Sequence, residues 1–199
     1  MSTLEVNKIT PSTGTDITLG DSGDTFTIPS GVTLTNNGTA SGFGGITVAD
    51  QWRLTADKTG LAGGQDITAN LSQISSYGAG TIGTAMSESS GIFSFPSTGI
   101  YLITATAQFE RVSGSANYMA FQMLATTDNS TYNYVADGGE TLRDDPSSQG
   151  SVTISFMFDV TNTSTHKVKF RTDVSDAQTL KGSSTKNMTH FTFLRLGGT

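Results

Sequence analysis

Few side chains in this sequence are of a type and spacing that could carry out chemistry. The two histidines, His166 and His190, each lie beside a strand-like pattern, and neither has a partner at metal-ligand spacing. The sequence contains neither a Gly-x-Ser-x-Gly nucleophile motif nor a Walker or dinucleotide-binding glycine motif. We therefore expect both histidines to be strand-edge or subunit-contact residues, and we expect no metal site and no cofactor.

Paired carboxylates could cleave a glycosidic bond, one as acid and the other as base or nucleophile. The acidic candidates are Glu110, Asp137, Glu140, Asp144 and Asp145. The run from Asp144 to Pro146, followed by two serines, fits a polar turn better than a catalytic pair. A chain of 199 residues is also much shorter than the parallel β-helix of a polysaccharide-depolymerising tailspike. We predict no catalytic residue and no enzymatic activity.

The composition excludes several other classes of protein. Charged residues are 14% of the chain and its formal net charge is −6, so binding through phosphate neutralisation, and hence to nucleic acid, is not expected. Cys is absent, which rules out disulfides and thiolate metal sites. No apolar run approaches the roughly 18 residues of a membrane-spanning helix, so membrane insertion is not expected. Abundant Thr, Ser and Gly favour short strands joined by tight turns.

Residues 1–49 differ from the rest in carrying short triplets of apolar, Thr, apolar. The triplets are Ile17-Thr18-Leu19, Phe26-Thr27-Ile28, Val32-Thr33-Leu34 and Ile46-Thr47-Val48. Each has a period of two and predicts a minimal strand. Because so short a segment cannot bury a core alone, we predict a trimeric shaft or a docked anchor. The alternative is a tail that is ordered only where it contacts a partner. The expected anchoring side chains are Leu4, Val6, Ile9, Ile17 and Leu19.

Residues 50–199 are predicted to form one all-β domain. Turn signals separate strand-like runs at intervals of roughly 8–15 residues, which is typical of a sandwich or jelly roll. The predicted strands are Gln51–Thr55, Gly91–Phe95, Gly99–Phe109, Tyr118–Thr126, Ser151–Val160, His166–Thr172 and Met188–Leu196, with weaker ones near Ile67–Tyr77 and Tyr132–Asp137. No stretch has the apolar period of a helix.

Alternation within these runs predicts which side chains face the core. Residues 154, 156, 158 and 160 are all apolar, whereas Ser155, Met157 and Asp159 lie between them. Val168 and Phe170 likewise alternate with three cations, Lys167, Lys169 and Arg171. In the run 101–109 the apolar residues occupy the odd positions, with a small Ala pair in the middle that indicates close approach of another layer or subunit.

One motif resembles that of a known family. The segment from Gly91 to Ile103, with Phe93, a Pro96 turn, Gly99 and Tyr101, is similar to the central motif of the complement globular-head domains, which belong to the tumour-necrosis-factor-like superfamily of trimeric jelly rolls. The terminal run 189–196 resembles that family's last strand. The resemblance implies a jelly-roll homotrimer for residues 50–199. By that resemblance four residues are expected at the subunit interface or in the core: Tyr101, Ile103, Phe191 and Phe193. The alternative is that they are simply core residues of a monomeric sandwich.

The N-terminal segment carries a second, shorter resemblance. Residues 4–24 are similar in style to the leaders of tail-fibre-like and head-decoration proteins of marine bacteriophages. The start has no basic and apolar signal-peptide pattern, which disfavours a secreted signalling trimer. We therefore expect a virion protein, assembled in the host cytoplasm and released by lysis. It would be a trimeric capsid decoration or head-fibre protein that docks by its N-terminus on a major capsid or tail protein and serves particle stabilisation, adhesion or both. The alternative is a tail-fibre receptor-binding protein that recognises host-surface glycans.

The most contact-like loop is the segment 128–134. It contains the four candidate ligand residues Asn129, Tyr132, Asn133 and Tyr134, of types that stack on sugars and hydrogen-bond to their hydroxyls. The alternative is a hairpin loop whose tyrosines pack back on the sheet. The cationic face of residues 167, 169 and 171 could meet an anionic glycan or a neighbouring subunit's carboxylates, or could be solvated.

Overall fold

The computed structural model describes residues 9–37, 45–112, 118–145 and 147–199. The chain divides into two compact units, residues 1–43 and residues 44–199. Among the described residues, no helix is long and apolar enough to cross a membrane.

The described part of the first unit, residues 9–37, contains turns but no strand. The triplets at 17–19, 26–28 and 32–34, predicted to be strands, are therefore not strands in the single chain. Their apolar side chains are 38–69% exposed. Within residues 9–37 none of these triplets has a neighbouring strand to pair with, and an isolated strand is not stable in water. The fourth triplet differs, since Val48 begins the first strand of the second unit.

The described part of the second unit is entirely β, with eleven strands and no helix. The strands are β1 (Val48–Leu54), β2 (Lys58–Asp66), β3 (Leu71–Gln73), β4 (Ser87–Ser89), β5 (Ile92–Ser94), β6 (Gly99–Arg111), β7 (Tyr118–Thr126), β8 (Asn133–Thr141), β9 (Gln149–Val160), β10 (Lys167–Leu180) and β11 (His190–Gly197). The predicted all-β class is confirmed. Val48 and Ala49, which fall before the predicted boundary at residue 50, pair with β11.

The strands pair antiparallel in two groups. In the first sheet the order is β3-β1-β11-β6-β9. In the second it is β4-β5-β10-β7-β8, with β2 also alongside β10. The end of β10 pairs with β6 and joins the two groups. Rings from both groups meet in one core: Phe170 of β10 lies 4.4 Å from Phe191 of β11, and Phe93 of β5 lies 5.1 Å from Phe193.

The alternation predicted from sequence is confirmed in the long strands. In β6 all odd-numbered residues from Gly99 to Arg111 are buried and all even-numbered ones are half-buried. In β9, Ile154, Phe158 and Val160 are buried, Phe156 is half-buried, and the residues between them are exposed. In β10, Val168 and Phe170 are buried between half-buried cations. The small residues Ala105 and Ala107 are fully buried in the core.

Gly99 occupies the turn that carries the chain from β5 in the second sheet to β6 in the first. Its φ is +140°, a conformation that side chains resist. A Cβ there would lie 2.4 Å from the carbonyl oxygen of Gly197. The close approach to β11 is a second reason for a glycine at this position.

Candidate interaction surfaces

The four residues expected at the interface or in the core all lie in the interior of the single chain. Tyr101, Ile103, Phe191 and Phe193 are each 0% exposed, so they have no side-chain surface to offer another subunit. The Tyr101 hydroxyl donates a hydrogen bond to the Ser97 carbonyl at 3.0 Å and lies 3.1 Å from the Ser97 hydroxyl. The hydroxyl thus braces the turn before Gly99 within its own chain. Any contact between copies must use other residues.

A row of apolar side chains crosses the outward face of the first sheet. Successive register pairs join its members: Met157 with Leu102, Leu102 with Leu194, Leu194 with Ala49, and Ala49 with Ile82. The neighbours Tyr101, Ile103, Phe158 and Phe193 point into the core, so Leu102, Met157 and Leu194 point away from it. We name the five residues Ala49, Ile82, Leu102, Met157 and Leu194 the apolar row. Met157 is 62% exposed and Ile82 is 50% exposed, at its two ends.

Beside the apolar row the same face is polar and largely self-satisfied. The next register row contains Ser155, Thr104, Thr192 and Gln51. The Gln51 amide nitrogen donates to the Thr192 hydroxyl at 2.9 Å. One row further, the hydroxyls of Thr106 and Thr153 lie 2.9 Å apart. The face therefore presents one apolar band beside a field of hydroxyl and amide groups.

A buried carboxylate holds the edge of this sheet. Asp50 is 2% exposed and accepts hydrogen bonds from the Trp52 indole at 2.8 Å, the Gln73 amide at 2.9 Å and the Met86 backbone amide at 2.8 Å. It also accepts a hydrogen bond from the backbone N–H of the adjacent Gln51 at 3.0 Å. The residue ties β1 to β3 and to the segment before β4. Sequence reasoning missed it, because an isolated Asp in a strand pattern gives no sign of four donors.

The predicted ligand loop is organised by Asp128. One carboxylate oxygen accepts from the Thr126 hydroxyl at 2.7 Å and from the amides of Ser130 and Thr131 at 2.8 and 2.7 Å. These bonds hold the pKa of the Asp128 carboxyl well below its usual value. Asn129 sits in the left-handed region with φ +59°. The turn around Asp128 is therefore a rigid support.

The four candidate residues of this loop do not form one surface. Asn129, Asn133 and Tyr134 are exposed, Tyr134 at 59%. Tyr132 instead packs back on the sheet, with the Lys169 ammonium 4.5 Å from its ring centroid. Burial and, secondarily, the Asp66 charge raise the pKa of its hydroxyl. The alternative of a tyrosine packed on the sheet thus describes Tyr132 and not Tyr134.

The cationic face is paired within the chain. The Asp66 carboxylate lies 2.8 Å from the Lys169 ammonium and 3.6 Å from the Arg171 guanidinium. The Lys167 ammonium donates to the Thr163 carbonyl at 2.9 Å. These groups have partners, so the face is not a free positive surface awaiting an anion.

The histidines and acidic residues show no catalytic grouping. His166 is buried between the hydroxyls of Thr161 and Thr165, at 3.2 and 3.1 Å. His190 is half-buried, and this burial lowers its pKa. A hydrogen bond that its ring donates to the Met188 backbone raises the pKa, and the Arg53 charge lowers it further. Within the described residues no group of three His, Asp or Glu side chains could hold a metal ion.

The acidic candidates contact cations or amides, or are exposed. Asp144 pairs with Arg111, whereas Glu110 accepts from the Gln149 amide at 2.7 Å and lies 3.5 Å from the Lys181 ammonium. Asp137 and Glu140 are exposed on β8.

Of the predicted anchor residues, Ile9, Ile17 and Leu19 are described and are 55%, 44% and 62% exposed. Leu4 and Val6 lie outside the described residues. Within the part of the chain that the structure describes, these three side chains are therefore largely exposed.

The fold is that of a tumour-necrosis-factor-like jelly roll. A crystal structure of murine APRIL at pH 5.0 matches with a TM-score of 0.56 and 13% identity, covering 75% of this chain and 98% of that one. Eiger TNF from S. frugiperda matches with a TM-score of 0.53 and 10% identity, covering 76% of this chain and 94% of that one. At such identities the likeness concerns the fold alone. No protein-family model matches the sequence, and comparison with curated proteins found no match.

Proposed function

We propose that this chain is a non-enzymatic structural protein of a bacteriophage particle, whose second unit forms a homotrimeric head and whose first unit docks on another virion protein. The observation that carries the proposal is the apolar row on the outward face of the first sheet. That sheet already buries its other face in a complete core. A contiguous apolar band on a second face therefore has no role in folding the single chain and is typical of an association surface.

The proposed occupant of this face is two further copies of the same chain. Closed rotational symmetry covers such a band on every copy and leaves no unpaired surface. The jelly-roll fold and the Gly99–Tyr101 motif support a threefold arrangement by resemblance. The polar rows beside the band supply groups that can hydrogen-bond across the axis.

The proposed docking role of the first unit is supported by its exposed apolar side chains. Ile17, Leu19 and Phe26 stand out from a segment without strands, at 44–69% exposure. Such side chains gain stability by burial against a partner, at roughly 25 cal/mol per Å². A capsid protein is the proposed partner, and the head then projects from the particle surface as a decoration.

The trimer is tested by sedimentation equilibrium with variants on opposite sheets. Met157→Asp and Leu102→Asp place a charge in the apolar row, whereas Tyr134→Asp places one on the second sheet. We expect the first two to weaken self-association about a hundredfold or more, because each would bury an unpaired charge, and the control to leave it unchanged. Because Met157 is exposed, its variant still folds, which near-ultraviolet circular dichroism checks. A parent chain that sediments as a monomer would refute the trimer.

Docking is tested separately on particles assembled with the full chain. The double variant Ile17→Asp/Leu19→Asp is expected to remain trimeric but to be lost from gradient-purified particles. Incorporation at the parental level would contradict the assigned anchor. Counting copies per particle by quantitative mass spectrometry distinguishes the two placements, since many copies fit a capsid decoration and few fit the alternative, a tail fibre.

A further inference from the structure

The outward face of the second sheet carries two exposed tyrosines on one side of a strand pair. In β7 the side chains of Met119, Phe121 and Met123 belong to the core. Tyr118, Gln122 and Leu124 therefore point outward. Tyr134 of β8 lies directly opposite Leu124 in the register. We name the outward side of β7 and β8, from Tyr118 to Tyr134, the tyrosine face.

The two rings lie at opposite ends of this face. Tyr118 and Tyr134 are 46% and 59% exposed. Six residue steps along β7 separate their register positions, or roughly 20 Å at the rise of a strand. The Tyr118 ring leans toward β8, since a Cβ on Gly139 would lie 3.5 Å from it. A glycine at this position leaves room for the ring to lie close to the sheet.

Between the rings lies a polar side chain with an unmet hydrogen-bonding requirement. Gln122 is only 9% exposed, and its side-chain oxygen Oε1 is buried without a hydrogen-bond partner. In the register it stands between Arg171 of β10 and Asp137 of β8. Beyond Arg171 comes Asp66, whose Oδ1 is likewise buried without a hydrogen bond. A buried acceptor without a hydrogen bond is costly to maintain. Asp66 Oδ1 has the Arg171 guanidinium 3.6 Å away, whereas Gln122 Oε1 requires a donor.

The charges of this region point to a neutral ligand. The carboxylates of Asp66, Asp137 and Asp173 accompany the cations Lys169 and Arg171, and Asp66 is already paired with both cations. With Lys167 of the same β10 face counted, three carboxylates accompany three cations, so an anionic ligand would meet no net positive charge here. Burial and the charges of Asp137 and Asp173 raise the pKa of the Tyr118 hydroxyl, so this group is a hydrogen-bond donor at neutral pH.

We propose that the tyrosine face binds a neutral oligosaccharide. The apolar faces of two sugar rings lie on Tyr118 and Tyr134, and a sugar hydroxyl that enters between Tyr134 and Arg171 donates to Gln122 Oε1. Arg171 donates in turn to sugar oxygens. The predicted sugar contact thus moves from the loop tip to the sheet, retaining Tyr134 and leaving out Asn129, Asn133 and Tyr132. This inference goes beyond the proposed function, because it gives the head an adhesive role, and it uses the sheet opposite the proposed trimer contact.

The test uses the full-length chain on a printed array of neutral and acidic microbial oligosaccharides, with affinities for the best-bound glycan measured by isothermal titration calorimetry. We expect binding to neutral glycans, weakened about tenfold or more by Tyr134→Ala. Gln122→Leu is expected to abolish or strongly weaken binding while the melting temperature stays unchanged or rises, since the substitution removes an unpaired buried oxygen. Tyr77→Ala is the matched control, because Tyr77 is 81% exposed and lies outside the tyrosine face.

Three results would overturn the inference: no glycan bound by the parent chain, binding confined to acidic glycans, or equal losses from Tyr134→Ala and Tyr77→Ala. Sedimentation of the same samples reports the oligomeric state independently. A monomer that binds neutral glycans would refute the proposed trimer but support the glycan site. A trimer that binds no glycan would support the trimer and refute the glycan site.

Discussion

Replacing Asp50 by Ala should destabilise the head strongly, because four donors converge on its carboxylate. Three of these donors come from residues that do not adjoin Asp50 in the chain: the Trp52 indole, the Gln73 side-chain amide and the Met86 backbone amide. A hydrogen bond to a charged group contributes about 1.5–3 kcal/mol, and a buried donor left unpaired costs about 1–3 kcal/mol. The Met86 amide is buried, whereas the Trp52 and Gln73 donors are only partly so and can recover water. We therefore expect a loss of about 3–5 kcal/mol, a large part of the roughly 5–15 kcal/mol that stabilises a typical domain.

The assay is urea unfolding at one fixed protein concentration, since self-association would otherwise shift the midpoint. The free energy of unfolding of Asp50→Asn should lie between those of Asp50→Ala and the parent, because Asn keeps one acceptor oxygen but turns an NH2 group toward donors. Asp159→Ala is the control, since Asp159 is exposed on β9, and should change stability by less than about 0.5 kcal/mol. A loss below about 1 kcal/mol for Asp50→Ala would show that the four bonds do not hold the sheet edge.

Three further perturbations test other parts of the head. Gly99→Ala should lower the free energy of unfolding in urea by about 2–4 kcal/mol, because of the φ of +140° and the clash with the Gly197 carbonyl. Gly80→Ala, where the added Cβ meets open space, should change it little. Equal losses from the two variants would contradict the turn argument. Burial lowers the pKa of His190 in the folded chain, so folding favours its neutral form. The resulting stability is fully present at a pH above the ordinary histidine pKa of about 6.5 and is lost as the pH falls. The parent should therefore lose more stability than His190→Gln between about pH 7 and pH 5, and parallel curves would refute this. Asp128→Ala should speed hydrogen exchange at the amides of Ser130 and Thr131, which its carboxylate holds, and unchanged exchange would show that the loop does not need it.

Patterns that depend only on nearest neighbours were predictable from sequence. The alternation in residues 154–160 and the turn between Pro96 and Gly99 follow from the two-residue period and from backbone sterics, and the structure has both. β2 was not predictable, because Gly60, Gly63 and Gly64 interrupt it and only Leu61 is buried. The second half of β10 was missed because its residues do not alternate regularly between apolar and polar. It is a strand because it pairs with β2, β7 and β6.

The surfaces were harder to predict than the strands, because they depend on register. The apolar row joins Leu102, Leu194 and Met157 from three strands far apart in sequence. Composition shows no trace of that alignment. The four residues expected by resemblance at the interface or in the core are core residues of the single chain. Alternation left this choice open, because it separates one face from the other without saying which face meets a partner. Tyr132 and Tyr134 look equivalent in the sequence, yet Tyr132 is half-buried against Lys169 whereas Tyr134 is exposed on β8.

The mass of the full-length chain in solution tests the central claim most directly. Sedimentation equilibrium at micromolar concentration should give three times the chain's 20.8 kDa, and Met157→Asp should shift the mass toward that of a single chain without loss of tertiary structure. A parent protein that sediments at 20.8 kDa and melts cooperatively would show that the apolar row is solvent-exposed surface and that the head acts as a monomer.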